Sequence, residues 1–494
     1  MAPRNMPAAA RRLVTARRPR RFLARIAVQF ITQAIALIGW TNPAQAHASE
    51  QAFVLLLPTD FYTAIGVAAV AITAVALIFI PQSALHRLFS SWAIPRAAIS
   101  FPLSADALAT TTSALAFMAL LLLIAIGLFG SYDPLANPLP LFIWTLWWIG
   151  FVLLQAVLGD IWRYANPWTG PYRILLEHRN PTGFQSLSKR VAHWPAVVAF
   201  LLFALFMLAD PAPEDPARLA KIVGAYWLYT FAGMALFGAE AWLGRCECFT
   251  ILFRQFAMLS FIGRASGRLR VGVPGWQIPD APARAISASF LVLMALGTSS
   301  FDGLNETFWW LGKIDVNPLE YPGRSAVFWQ TVSGAIISNG LFILSYSVCV
   351  YLGLALIGEA PRFAEGFGRL ALSVAPIALA YHFAHYLTTF MVNAQYALAA
   401  ASDPWATGAD YLGLGRYYVT TGFLNTAQTV RVIWLAQAGA VVIGHMLAIL
   451  VAHGTALKML GSNKKAIISQ TPLAMFMIAY TLFGLWLLST PRGG

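Results

Sequence analysis

Charge is scarce in this chain: only 11% of its 494 residues are Asp, Glu, Lys or Arg. So few ionic groups cannot solvate a folded surface of this size, which excludes an ordinary soluble domain. Cysteine is scarcer still. The three residues Cys246, Cys248 and Cys349 exclude a disulfide-rich scaffold, and the one-residue spacing of the first two is not the CxxC of a zinc knuckle or thioredoxin-like site. A phosphate-binding glycine loop, a nucleophile elbow and an HExxH are all missing, so ATPase, serine hydrolase and zincin readings have no motif to stand on. No nucleic-acid motif accompanies the formal net charge of +13. No convincing repeat relates the two halves of the chain.

What the sequence has instead is apolar length. Hydrophobic residues make up 59% of it and the mean hydropathy is +0.65. Apolar runs lie near 61–80, 112–130, 139–158, 194–210, 222–242, 285–299, 328–357, 370–390, 431–453 and 468–489. Each is close to the length a helix needs to cross a hydrocarbon core. This predicts an all-α polytopic transmembrane bundle of about ten helices, in one domain over 47–494.

Residues 1–46 read as an export signal. Arg11, Arg12, Arg17, Arg18, Arg20, Arg21 and Arg25 form the basic region, Ile26 to Trp40 the apolar one, and Ala44-Gln45-Ala46 a small-x-small cleavage site that would leave His47 first in the mature chain. An uncleaved signal anchor is the alternative. If 47–60 is external, the internal loops are 159–193 and 243–284, both rich in arginine, and the external ones carry Asp210, Glu214, Asp215, Asp302, Glu306, Asp315, Glu320, Asp403 and Asp410. That partition obeys the positive-inside bias and puts both mature termini outside.

Half of the eight histidines fall on two late apolar runs: His382 and His385 in AYHFAHYLTTF, His445 and His453 in VIGHMLAILVAH. Imidazole is costly in a bilayer unless paired, hydrated or bound. His382 and His385, three apart, stand about 60° around a helix and about 4.5 Å along it, so they can share a pocket. His445 lies at a depth comparable to His382, whereas His453 is about 12 Å further along its helix. A single divalent metal ion would reach His382, His385 and His445 more easily than all four. Haem ligation, structural hydrogen bonding to carbonyls or to Asn393, Gln395 or Gln437, and a proton or substrate relay remain open beside it.

The stretch SSFDGLNETFWW adds two carboxylates. Asp302 or Glu306 would complete a metal site or act as general base if this segment folds over the histidine helices; an external acidic loop with belt tryptophans is the plainer alternative. On the internal side, Asp160 with Arg163 and Glu240 with Arg245 read as helix-end ion pairs.

The stretches GDIWRYANPW, GAEAWLGRCECF, SSFDGLNETFWW, AYHFAHYL, SDPW and VIGHMLAILVAH, together with a signal ending in Ala-His, resemble the bacterial multispanning membrane proteins named after fenitrothion hydrolase. The likeness runs from about residue 46 to residue 457. It implies an inner-membrane subunit of a two-subunit hydrolase that cleaves a hydrophobic aryl phosphorothioate triester into a nitrophenol and a dialkyl thiophosphate, with the mature N-terminus periplasmic. Cys246 and Cys248 flank Glu247 where members often have other residues, so the likeness gives these thiols no role. A transporter, a metal- or haem-handling protein, and a noncatalytic partner of a hydrolase subunit are the competing classes.

Overall fold

The computed structural model describes residues 50–94, 104–178, 182–265, 267–320 and 322–492. The expected export signal over 1–46, its cleavage site and His47 lie outside these residues.

Among the described residues, ten helices are long and apolar enough to cross a membrane, as the hydropathy pattern predicts. They are α1 (Thr59–Ala76), α2 (Ala105–Phe129), α3 (Pro138–Leu158), α4 (Trp194–Ala209), α5 (Pro216–Phe237), α6 (Ile286–Asn305), α7 (Phe328–Ala355), α8 (Ala375–Ser402), α9 (Ala427–Leu460) and α10 (Asn463–Ser489). Their starts follow local chemistry. Ser104 accepts from the Ala107 N–H at 3.2 Å, and Asp215 accepts from the Arg218 N–H at 2.7 Å with Pro216 as the first helical residue. Thr426 caps α9 in the same way. Gly461, at φ 65°, ends α9 in the left-handed conformation that favours glycine. Ser462 then caps α10, so the chain reverses within two residues.

α6 is the hub. It packs on α4, α7 and α8 and is buried along nearly all of its length, including Ser289, Thr298, Ser300 and Asp302. Surrounded by protein rather than lipid, it tolerates polar residues that a lipid-facing helix would not. These polar residues are also why its apolar run, 285–299, is among the shortest in the sequence. α8 and α9 form the most extensive helix pair, and α10 packs on α9 and α7. At 28 and 34 residues, α8 and α9 reach about 42 and 51 Å, well beyond a hydrocarbon core of about 30 Å. They project from the end of the bundle that carries 403–426.

The segment 243–284 is not a plain internal loop. Its part Cys248–Ala257 is a buried helix, too short to span. Glu247 caps it, accepting from the N–H groups of Phe249 at 3.0 Å and Thr250 at 2.6 Å and from the Tyr226 hydroxyl at 2.5 Å. Beyond it lies a small antiparallel sheet in the order β1 (Trp92–Ala93), β3 (Arg268–Val271), β2 (Ile262–Ala265). The expected ion pairs on this side also differ. Asp160 meets Arg254 at 3.7 Å and Arg163 meets Asp106 at 3.9 Å, while Arg245 donates to the Leu187 carbonyl. The tertiary fold, not sequence adjacency, chooses these partners.

Candidate functional site

The site forms where α6 and α8 cross. Asp302 lies one turn before the end of α6, on the helix itself and not in a loop, and is buried. Its Oδ2 accepts from His385 Nε2 at 3.0 Å and from the Tyr386 hydroxyl at 2.5 Å, both on α8. With Asp302 ionised, Nε2 carries the proton. Nδ1 is then the basic nitrogen and faces Gly303, where a Cβ would sit 3.8 Å away.

Glu306 follows at the end of α6, half-exposed, 3.8 Å from Arg492 Nη1. Desolvation of the part of its carboxyl turned to the protein, and next the negative charge of Asp302, push it above the ordinary carboxylate range. Arg492 is brought here by the C-terminal tail, which bridges to Thr307 and takes a hydrogen bond on the Pro491 carbonyl from the Phe308 N–H at 3.1 Å. A cavity of 80 Å³ beside His385 is lined by Thr388, Trp434, Gln437 and Arg492, room enough for a few water molecules. A narrower one of 20 Å³ continues from His385 and Arg492 to Tyr381 and Val441.

The four histidines do not converge. His382 donates from Nε2 to the Trp148 carbonyl of α3 at 2.8 Å. His445 donates from Nδ1 to Val441 O in its own helix at 2.8 Å, and its Nε2 has no partner among the described residues. His453 bonds Asn463 Oδ1 at 3.2 Å, at the opposite end of α9 from the α8 connection. Among the described residues no group of three or more His, Cys, Asp or Glu side chains is placed to hold one metal ion. The donor set His382, His385 and His445 expected from depth along the helices is therefore not assembled, because the helices turn each imidazole to a different neighbour. Gln437 and Gln395 also bond backbone carbonyls rather than histidines.

What does come together is Asp302 with His385, flanked by Glu306. Compared with family models, curated proteins and solved structures, the chain matches none of them.

Sequence reasoning missed Tyr386 and Arg492. Tyr386 directly follows His385, and a polar aromatic beside a buried histidine was an available signal; Arg492 gave none. The cysteines stay outside this site. Burial pushes the Cys246 thiol up to about 11 and that of Cys248 well above the ordinary thiol range. Both are protonated at neutral pH, the wrong state for ligation or nucleophilic attack.

Proposed function

We propose that this chain is a membrane-embedded subunit of an organophosphorus ester hydrolase, with His385 as general base and Asp302 as its partner. The observation that carries the reading is the 3.0 Å contact between His385 Nε2 and Asp302, next to a cavity of water-holding size. Asp302 fixes the imidazole tautomer and stabilises the imidazolium that forms when Nδ1 takes a proton from water. Tyr386 holds the same carboxylate oxygen and limits its rotation. The water oxygen bonds to phosphorus, the bond from phosphorus to the aryl oxygen breaks, and the proton on His385 passes to bulk solvent or to the departing phenolate. At 80 Å³ the cavity takes water rather than a triester, so in this reading the phosphorus meets the water at the mouth, where Arg492 offsets developing negative charge. The phosphotriester class comes from the family likeness, and a second subunit is part of the same reading. No step is routed through a metal ion, since the donors present do not match the expected set.

The test is nitrophenol release from fenitrothion by the detergent-purified chain, alone and with its partner subunit. His385→Gln and Asp302→Asn should each lower the rate by about 10²–10⁴, while His453→Gln leaves it within about twofold. Unchanged rates in well-folded His385→Gln protein would end the proposal.

A proton or cation relay is the second reading, favoured by the cavity that continues inward from His385 to Tyr381. Proton flux in proteoliposomes, abolished by Asp302→Asn in the absence of ester cleavage, would select it.

A further inference from the structure

A much larger cavity lies away from Asp302 and His385. It occupies about 1060 Å³ between α2, α3, α4 and α5, at the upper end of the size range for small-molecule sites, about 300–1000 Å³. α4 and α5 are consecutive in the chain, yet α4 packs on α6 and α7 and α5 on α2 rather than on each other. The gap between them opens sideways at membrane depth. At its edge, Leu202 on α4 is 62% exposed and Ile222 on α5 is 38% exposed. Lining residues run along α4 from Trp194 to Phe206, a length of about 18 Å.

Its walls are chemically selective. Among the described residues, no charged side chain and no histidine lines it. Six tryptophans do: Trp144, Trp147, Trp162, Trp168, Trp194 and Trp227. Three of them are held in place by indole hydrogen bonds, while Trp168 Nε1 has no partner among the described residues. Trp144 donates to Pro213 O, Trp162 to Thr250 Oγ1 and Trp227 to Pro167 O, each at 3.1 Å. Phe249 of the short buried helix braces Trp147 edge-on, with ring centroids 4.8 Å apart. The capped turn at Glu247 thus fixes one wall.

We infer that this chamber binds an uncharged, lipid-soluble aromatic molecule that enters from the bilayer through the gap between α4 and α5. Absence of charge rejects a phosphate headgroup. An acyl chain gains little from indole faces that aliphatic walls would not give it, whereas a flat ring stacks on them or meets them edge-on. A space of this size, lined by apolar groups and open to lipid, does not stay empty. The inference goes beyond the hydrolase reading and holds whether or not His385 acts as a base.

The test uses pyrene, which has no bond to hydrolyse, with the full chain in phosphatidylcholine nanodiscs. Tryptophan-to-pyrene energy transfer should show a saturable component near one pyrene per chain above the linear background of partition into lipid. Ala199→Trp on α4 and Ala116→Phe on α2 fill the space from opposite walls. Each should weaken the saturable component at least tenfold, with melting midpoints close to that of the unaltered chain. Purely linear transfer in the unaltered chain, or equal saturation in both well-folded variants, would overturn the inference. So would tryptophan quenching by lipids with brominated acyl chains that saturating pyrene does not relieve, which would make the chamber a lipid site.

Discussion

His385 and Asp302 join α8 to α6 through one contact of 3.0 Å between Nε2 and Oδ2, and both side chains are almost fully enclosed. Such a pair is expensive to break from one side, because the group left behind keeps its desolvation cost without its partner. Asp302→Ala, which also strips the Tyr386 hydroxyl of its acceptor, should destabilise the fold by about 3–5 kcal/mol. Asp302→Asn keeps an acceptor oxygen and should lose clearly less. Thermal unfolding in detergent checks the order; equal midpoints for both variants would contradict it.

Close packing of α7 on α10 depends on Gly353, where an added Cβ would lie 1.9 Å from the Ser469 carbonyl oxygen. Backbone cannot yield as a side chain does, so Gly353→Ala should cost about 1–3 kcal/mol. Gly340, on the same helix, has nothing within 4 Å of its Cβ position. Gly340→Ala should leave the melting midpoint unchanged or raise it slightly. A comparable fall for both would mean the contact is not what matters.

Glu247 supplies acceptors to two backbone N–H groups and one tyrosine hydroxyl in the buried turn before Cys248. Burial raises its pKa, and the hydrogen bonds from Thr250, Tyr226 and Phe249 pull it back. Glu247→Ala leaves all three donors without that partner and should cost about 2–3 kcal/mol. Tryptophan emission should shift as well, since Phe249 braces Trp147 from this turn. An unshifted spectrum with an unshifted midpoint would remove the turn from the support of the aromatic wall.

Acid should loosen the connection between α8 and α9. Asp403 accepts from the Thr407 and Gly408 N–H groups at 2.9 and 2.7 Å, and Asp410 from those of Leu414 and Gly415 at 2.7 and 2.8 Å. Backbone hydrogen bonds hold both carboxyls below their ordinary range. Groups depressed in the folded state contribute order that is present above the unfolded value of about 3.9 and fades as pH falls through the lower folded values. Pepsin cleavage within 403–426 should therefore rise as pH drops from 4 toward 2, by more than the pepsin rate on an unstructured peptide changes. Asp410→Asn should expose the segment to trypsin at Arg416 at neutral pH.

The sequence made the number and rough placement of the helices legible because each apolar run reports its own exposure to lipid or core. Ends were less legible: α8 continues past the predicted 390 to Ser402, where Ala397 and Ala400 pack on Leu141 of α3, and α9 starts before 431; residues held by protein contacts there need no continuous apolar run. Asp302 and His385 were both marked as candidates, but on separate grounds. Nothing in either segment revealed that they touch, nor that His382, His385 and His445 turn apart. Rotation of one helix against another depends on side-chain packing across the whole interface, which spacing along a single helix does not encode. Arg492 illustrates the other limit, for its place depends on a tail folding back onto Thr307.

The burial of α6 also bears on how the protein is built. Asp302 and Tyr386 stand 84 residues apart in the chain, so Asp302 emerges from the ribosome well before either of its partners on α8. Until then the hub helix has α4 and the short helix Cys248–Ala257 beside it but nothing to receive its buried carboxylate, a poor guest for bare lipid. α6 is therefore expected to reach its final packing only as α8 arrives. The settling of α6 is completed by a helix made after it.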